Sequence, residues 1–168
     1  PEQPWGIRRV NAAAAWTTPQ SQGKGVRVAV IDTGISRSHP DLAGVVVGGF
    51  NALAASKPDS WDDDEGHGSH VAGTIAAKRD GQGVVGVAPL VSLYAVKVLD
   101  KNGNGAFSDV IAGIEWAVEH KIQVANMSLG ADEGSEALKR AVAAAAKAGL
   151  PIVASAGNSA DAVSSPAK

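Results

Sequence analysis

Short runs of β-branched residues alternate with longer segments of helical periodicity along most of the chain. The segments 67–77, 108–121 and 135–149 place apolar residues at helical spacing. This order is typical of crossover connections between parallel strands. We therefore predict an α/β fold in three layers, a parallel sheet with helices on both faces. The predicted strands are VRVAVI (26–31), VVVGGF (45–50), VSLYAVKV (91–98), QVANMS (123–128) and PIVAS (151–155).

The composition excludes several classes of protein. The chain has 168 residues, which fits one domain over 1–168. Seventeen acidic and fifteen basic residues nearly balance, so neither nucleic acid nor an anionic membrane is an expected partner. Because there is no cysteine, disulfides, thiol catalysis and thiolate metal sites are excluded. No apolar stretch is long enough for a membrane span.

Ligands of open parallel sheets bind beyond the carboxyl ends of the strands, so the residues that follow each strand are the first candidates for chemistry. Here these residues are Asp32, the segment 99–106, Leu129 with Gly130, and the segment 156–158. In the last predicted helix, Ser135 is a plausible N-cap and Gly149 a C-terminal stop.

Two histidines lie three residues apart in EGHGSHVAG (65–73), directly after three aspartates. A zinc hydrolase helix instead spaces its histidines four apart with a glutamate between them, and no cysteine offers a further ligand. For His70, we predict packing against the sheet. His67 stands between two glycines at the first turn of its helix, where the ring can face a cleft. That placement favours a general base, with the zinc site as an alternative.

A general base needs a carboxylate to orient it, and Asp32 at the end of a buried strand is the best candidate. Taken alone, Asp32 before Thr33 and Gly34 is also typical of an ordinary turn. The joint pattern of five segments favours the catalytic interpretation. In chain order they are VAVIDTGISRSHPDL (28–42), GHGSHVAGTIAA (66–77), GVVGVAP (83–89), NMSLG (126–130) and ASAGNS (154–159).

Together these segments resemble the subtilisin family of serine endopeptidases, in particular its secreted bacterial members. The resemblance covers essentially the whole chain. It implies a subtilisin-like parallel sheet, incomplete in this chain, which would form the N-terminal part of a single catalytic domain. It also implies secretion and broad cleavage of polypeptides.

The resemblance assigns roles to residues of both the reaction and the substrate cleft. Asp32 matches the catalytic aspartate, His67 the general base and Asn158 the side-chain donor of the oxyanion hole. Ser128, Leu129 and Gly130 resemble one edge that pairs with substrate backbone, and Gly103, Asn104 and Gly105 the opposite edge. Phe107, Val110 and Leu129 match the apolar subsite for the fourth residue before the cut, although core packing is an alternative for Val110. Ser155, Ala156 and Gly157 match a wall of the pocket for the residue before the cut.

Acidic residues crowd the chain just before His67. We expect Glu65 to lie near the second subsite and to favour Lys or Arg there. A merely hydrated acidic loop is the alternative.

The segment KRDGQGV (78–84) resembles the calcium-binding loop of the family. Hard oxygen ligands would come from the carbonyls of Lys78, Gln82 and Val84, from the side chains of Asp41 and Asp80, and from Gln3. Lys78, Arg79 and Gln82 depart from the residues usual in the family, and Gln3 is set differently relative to PWG (4–6).

Nothing in the sequence resembles GTSMA, the segment that carries the nucleophile of the family after the Asp and His segments. None of Ser155, Ser159, Ser164 and Ser165 has that context. We therefore expect a companion, a C-terminal fragment that carries the serine and is separated after Lys168 in an exposed loop. The expected partners are this fragment and polypeptide substrates or inhibitors. A truncated, non-catalytic peptide-binding fragment of the same fold is the alternative.

Overall fold

The computed structural model describes residues 1–131, 134–158 and 163–167. Within them the strands are β1 (Arg27–Asp32), β2 (Val46–Asn51), β3 (Ser92–Lys97), β4 (Val124–Met127) and β5 (Ile152–Ala154). The α-helices are α1 (Trp5–Arg9), α2 (Ala12–Ala15), α3 (His67–Ala76), α4 (Phe107–Glu119) and α5 (Glu136–Lys147). The predicted strands and longer helices are confirmed to within a few residues. The short helices α1 and α2 were not predicted.

The strands form one parallel sheet in the order β2-β3-β1-β4-β5. Strand β1 is central and pairs with β3 on one side and β4 on the other. From β1 the chain builds the sheet first toward β2 and β3 and then toward β4 and β5. The reversal of strand order leaves a crevice at the carboxyl end of β1, which is where open α/β sheets bind ligands.

Alternate residues of β1 contact different helical layers. Ala29 and Ile31 belong to a buried cluster with residues of α4 and α5, whereas Val28 and Val30 belong to a second cluster with residues of α3. This alternation follows from the two-residue period of a strand. It confirms the predicted three layers, with helices on both faces of the sheet.

Both ends of α5 have the residues that the sequence predicts. The Ser135 hydroxyl accepts a hydrogen bond from the Leu138 N–H at 3.3 Å, as an N-cap does. Gly149 has a φ of 87°, the left-handed conformation that ends many helices.

Strand β5 lies at one edge of the sheet. Its central residue Val153 is 58% exposed, which is high for an apolar residue of a parallel sheet. None of the helices in the described part of the chain has the length and apolar character that crossing a membrane requires.

The first turn of α3 packs directly against the backbone at the end of β1. Gly68 is buried in the first turn of α3, and a Cβ at this position would collide with the carbonyl oxygen of Gly34. It would also lie 3.2 Å from the Cβ of Asp32. The small residue at 68 therefore sets the distance between the start of α3 and the end of β1.

We expect Gly68→Ala to lower the free energy of unfolding by about 1–3 kcal/mol, the usual cost of overpacking. The matched control is Gly73→Ala in the same helix, where a Cβ would have no atom within 4 Å. The control should gain about 0.5–1 kcal/mol, because alanine favours a helix over glycine. Urea denaturation of the intact protein measures both changes, and equal effects of the two substitutions would contradict the steric argument.

Candidate functional site

The carboxyl ends of β1, β3 and β4 open into a cleft of about 480 Å³. Its walls come from the start of α3, from the loop after β3 and from the segment after β4. The lining residues are Thr33, Glu65, His67, Leu99, Gly103, Asn104, Gly105, Phe107, Val110, Ser128, Leu129, Gly130, Ala131, Leu138 and Ser165.

Asp32 and His67 lie in direct contact at this cleft. The Nδ1 of His67 is 2.8 Å from Oδ1 and 2.9 Å from Oδ2 of Asp32, so an Nδ1–H donates to the carboxylate. The Asp32 side chain is fully buried, and its Oδ1 also accepts a hydrogen bond from the Thr33 N–H at 2.7 Å. The His67 side chain is 49% exposed. One edge of the imidazole is thus held by a buried anion, while Nε2 is left for another group.

The surroundings of His67 favour its protonated form. The hydrogen bond to Asp32 raises the pKa of His67 above 6.5. Partial burial opposes this change, and the negative charges of Asp32, Glu65 and Asp63 add to it. A raised pKa stabilises the folded state fully below pH 6.5, and this contribution is lost as the pH rises through the folded-state value.

Each of the four acidic residues before His67 binds different partners. Asp62 accepts a hydrogen bond from the Arg37 N–H at 3.1 Å, and Glu65 accepts one from the N–H of His67 at 2.7 Å. Asp63 accepts hydrogen bonds from several donors, including Thr33 Oγ1 and Ser69 Oγ. Asp64 pairs with the Lys97 ammonium at 2.6 Å. Hydrogen bonds therefore tie the segment to its neighbours, while Asp62, Asp64 and Glu65 remain exposed to solvent.

Lys97 is a buried cation that was not among the predicted site residues. Its Nζ donates to the carbonyls of Thr33 at 2.6 Å and Leu99 at 2.9 Å in addition to Asp64. The sequence does contain an indication of this role, because Lys97 lies in the apolar run VSLYAVKV. A lysine in a strand buried on both faces needs acidic or carbonyl partners.

The predicted substrate edges lie on the same cleft as His67. Gly103, Asn104 and Gly105 form part of one wall, held by Asp100, whose Oδ1 accepts the N–H groups of Asn102 and Asn104. The cleft is also lined by Ser128, Leu129, Gly130, Phe107 and Val110. Val110 is only 5% exposed and belongs to the buried cluster that includes residues of α4, so it packs in the core at the same time as it lines the cleft.

A second opening of about 430 Å³ adjoins the segment 128–130 and includes Ser155, Gly157, Asn158 and Ser164. Ala156 lies between two of these residues, and its carbonyl accepts a hydrogen bond from the Ser164 N–H at 3.0 Å. The side chain of Ser155 donates to the Leu129 carbonyl at 3.1 Å, which ties the two segments together. Ser159 and Lys168 lie outside the described residues.

Leu99 lines the cleft as part of the predicted segment 99–106, and four further residues line it without having been predicted there: Thr33, Ala131, Leu138 and Ser165. Leu138 comes from α5, and Ser165 pairs through its backbone with Ala131. Contacts of this kind join segments far apart in the chain, so no local pattern indicates them.

The prediction that His70 packs against the sheet is wrong. His70 is exposed and lines an apolar groove of about 720 Å³ between α3 and the N-terminal segment that includes Trp5. The small residues that follow it pack inward instead, because Ala72 and Ala76 occupy the sheet-facing side of α3. In the part of the chain that the structure describes, no three His, Asp or Glu side chains converge as a metal site would require.

The segment 78–84 folds around Asp41. The Val84 N–H donates to Asp41 Oδ2 at 3.1 Å, and the Lys78 N–H donates to the main-chain carbonyl of Asp41 at 3.0 Å. A Cβ at Gly83 would collide with the Asp41 carboxylate. This enclosed carboxylate and the neighbouring loop carbonyls are the oxygen donors that a hard cation prefers.

Asp80 and the main-chain carbonyl of Gln3 bind other partners. Asp80 pairs with the Lys78 ammonium at 3.2 Å and accepts a hydrogen bond from the Gln82 N–H at 3.1 Å. The Gln3 carbonyl accepts a hydrogen bond from the Arg8 guanidinium. Of the predicted ligands, the Asp41 carboxylate thus faces the backbone of residues 83 and 84, while Asp80 is paired with Lys78.

Comparison with known proteins gives consistent matches. The sequence model of the subtilase family matches residues 23–168. The chain is 50% identical over 155 residues to a thermostable alkaline protease of Halalkalibacterium halodurans, covering 92% of this chain and 41% of that protein. It is 48% identical to Subtilisin E of Bacillus subtilis over 92% of this chain and 40% of that protein. It is 49% identical to Subtilisin BL of Lederbergia lenta over 98% of this chain and 60% of that protein. The chain thus spans about 40–60% of the length of these relatives.

We expect the pKa of His67 to lie above 6.5 and to fall in Glu65→Gln. Glutamine retains an oxygen that can accept the His67 N–H but removes a negative charge that favours the imidazolium. An NMR titration of the ring protons measures the change, with His39, His70 and His120 as internal controls. An unchanged or higher pKa of His67 in the variant would contradict the electrostatic account.

Proposed function

Since the chain belongs to the subtilase family, we propose that it forms part of a serine endopeptidase that hydrolyses peptide bonds of proteins with broad specificity. The chain supplies Asp32 and His67 of the catalytic triad, and a companion C-terminal segment supplies the nucleophilic serine. The contact between the buried Asp32 carboxylate and the Nδ1–H of His67 is the observation that carries this proposal.

The geometry fits a proton transfer through the imidazole. With Nδ1–H donated to Asp32, the lone pair is on Nε2, which accepts the proton of the serine hydroxyl as its oxygen attacks the substrate carbonyl. The imidazolium then gives that proton to the leaving amine as the C–N bond breaks. A water molecule then gives a proton to Nε2 and attacks the acyl-enzyme ester. The imidazolium returns the proton to the serine oxygen, which releases the acid and restores the hydroxyl. Asp32 stays ionised and stabilises the imidazolium.

The oxyanion that develops in each step needs a donor near the nucleophile. Asn158 is exposed at the second opening, beside the segments 128–130 and 155–157. A neutral amide there stabilises negative charge without altering the protonation of His67.

The two edges of the main cleft suit an extended peptide. Substrate backbone would add as a strand between residues 103–105 and 128–130, so main-chain hydrogen bonds supply affinity with little dependence on sequence. Phe107, Val110 and Leu129 would bind an apolar side chain on one side of the cut. The small residues at 155–157 leave room for a large apolar side chain at the cut itself.

Two observations support a companion segment. No hydroxyl of the described residues hydrogen-bonds to Nε2 of His67, although His67 lines the cleft. The exposed Val153 on the edge strand β5 leaves apolar surface and backbone groups for a further element to cover. In line with the resemblance, we also propose that the protein is secreted.

The proposal predicts that a fluorophosphonate probe labels a serine only when the companion segment is present. In the intact protein, His67→Ala should lower kcat by about 10⁶-fold, the scale known for loss of this histidine in subtilisin itself. Exposed His120, stacked on Trp116 away from the cleft, gives His120→Ala as a matched control with near-normal activity.

Three outcomes of these experiments would contradict the proposal or favour an alternative function. Labelling that persists in His67→Ala at the normal rate would contradict the triad. Peptide binding without labelling, in a preparation whose intact mass shows the 168-residue chain alone, would favour the truncated peptide-binding fragment. Activity abolished by a zinc chelator and restored by zinc would favour the metal hydrolase.

The charge of Glu65 beside the cleft should favour Lys or Arg at the second residue before the cut. Matched peptides that differ only at that position test this, and we expect kcat/KM for Lys to exceed that for Glu by several-fold. In Glu65→Gln the preference should shrink. Equal rates for the two peptides with the unsubstituted protein would contradict the assignment.

We propose that calcium is held by Asp41 with carbonyl oxygens of Lys78, Gln82 and Val84, and that Asp80 and Gln3 would complete the ligand set after rotating toward the ion. Bound calcium would neutralise the enclosed Asp41 carboxylate and tie residues 78–84 to the segment that bears it.

If so, a chelator should lower the Tm of the intact protein, since a ligand that binds only the folded state stabilises it by mass action. The difference between calcium and chelator should disappear in Asp41→Asn. Asp59→Asn, which makes the same change at an exposed side chain, should retain it. A melt indifferent to the chelator would count against a calcium site.

A further inference from the structure

The first three N–H groups of α3 each donate to a side chain outside the helix. The His67 N–H donates to Glu65 at 2.7 Å, the Gly68 N–H to Thr33 Oγ1 at 2.9 Å, and the Ser69 N–H to Asp63 Oδ2 at 2.9 Å. The residue at the N-cap position is Gly66, which has no side chain to serve as a cap. Residues from two other segments therefore perform the capping function at the turn that carries the general base.

Asp63 is the most connected of these acceptors. Its Oδ1 accepts hydrogen bonds from Thr33 Oγ1 and from the N–H groups of Glu65 and Gly66 at 2.9–3.0 Å. Its Oδ2 accepts the Ser69 N–H and the Ser69 hydroxyl, the latter at 2.6 Å. All five partners are donors, which only an ionised carboxylate can accept together.

The protonation of Asp63 agrees with this environment. Partial burial by itself raises the pKa of the carboxyl, but the hydrogen bonds from Ser69 Oγ and from the N–H groups of Gly66, Glu65 and Ser69 outweigh it. The pKa therefore lies below 3.8. The carboxylate contributes stability above that value, and the contribution is lost as the pH falls through the folded-state pKa.

Thr33 links Asp63 to the end of β1. Its hydroxyl donates to Asp63 and accepts from the Gly68 N–H, while its own N–H donates to Asp32 at 2.7 Å. Its carbonyl accepts the Lys97 ammonium at 2.6 Å. Thr33 is 1% exposed, so its bonds to Asp32, Gly68 and Lys97 lie away from water, whereas its bond to Asp63 is partly buried.

We propose that Asp63 and Thr33 are positioning residues that hold the first turn of α3 against the end of β1, so that the imidazole of His67 meets the carboxylate of Asp32. Neither side chain hydrogen-bonds to the His67 imidazole or to the Asp32 carboxylate, although the Thr33 N–H donates to Asp32. Both act through the backbone on either side of His67, and the inference rests on the proposed peptidase function.

The proposal predicts that weakening this unit slows the chemical step more than it weakens substrate binding. Asp63→Asn turns an amide NH₂ toward at least one donor, and Thr33→Val removes the bridging hydroxyl at nearly constant volume. Each should lower kcat by about 10- to 100-fold with KM within about two-fold, since a small misplacement of a catalytic group has effects of this size. Thr33→Ser keeps the hydroxyl and should restore kcat to within about three-fold.

The matched control for charge is Asp59→Asn, which makes the same chemical change at an exposed position four residues earlier. All variants are assayed as the intact protein, below the Tm of each, with rates corrected for the active fraction by fluorophosphonate titration. Unchanged kcat in both Asp63→Asn and Thr33→Val would overturn the proposal, whatever happens to the Tm. If Asp63→Asn fails to fold, the contrast between Thr33→Val and Thr33→Ser decides.

NMR of His67 separates this inference from the peptidase proposal. Thr33→Val removes no charge, so loss of the low-field Nδ1 proton signal or a lower His67 pKa in that variant reports a disturbed contact with Asp32. Thr33→Ser should preserve both signatures. If the unsubstituted protein cleaves no peptide, the peptidase proposal fails, and the NMR comparison alone supports or overturns the positioning role.

Discussion

Helix α3 reaches the end of β1 at backbone distance, because position 68 has no side chain to hold the two elements apart. The approach brings His67, on the exposed side of the first turn, next to a carboxylate that the sheet buries completely. A longer distance would leave Asp32 buried without a cationic or donor partner on its outer side, which is costly inside a protein. The contact between α3 and β1 thus stabilises the fold and also holds His67 beside Asp32.

Burying Asp32 is tolerable because the surrounding groups are arranged to stabilise negative charge. The amide of Thr33 and the imidazole of His67 both donate to its carboxylate. The Lys97 ammonium lies nearby on β3, bound to the carbonyl of Thr33 and to Asp64. Removing either partner of such an arrangement leaves the other buried and uncompensated, so the charged groups at this end of the sheet are interdependent.

The sequence was sufficient to predict the strands and major helices, the layer order and the candidate pair Asp32 and His67. The elements and layers follow from local periodicity, whereas Asp32 and His67 lie 35 residues apart in the chain and were predicted as a pair from the resemblance of five segments to a known family. The sequence was insufficient for Lys97, Thr33 and Leu138, whose positions depend on contacts between distant segments. The prediction for His70 was wrong, because alanine and glycine occupy much of α3. In such a helix, periodicity does not reveal which face packs against the sheet.

The two walls of the cleft extend from strands that flank β1 on opposite sides, β3 and β4. The ladder of the sheet therefore fixes the walls relative to the strand that ends at Asp32, whatever side chains the walls present. Under the proposed function, substitutions at the rim can change which polypeptides bind while leaving Asp32 and His67 in place. Related proteins with this arrangement could therefore differ in substrate preference through surface substitutions alone, with the strand and helix that carry Asp32 and His67 unchanged.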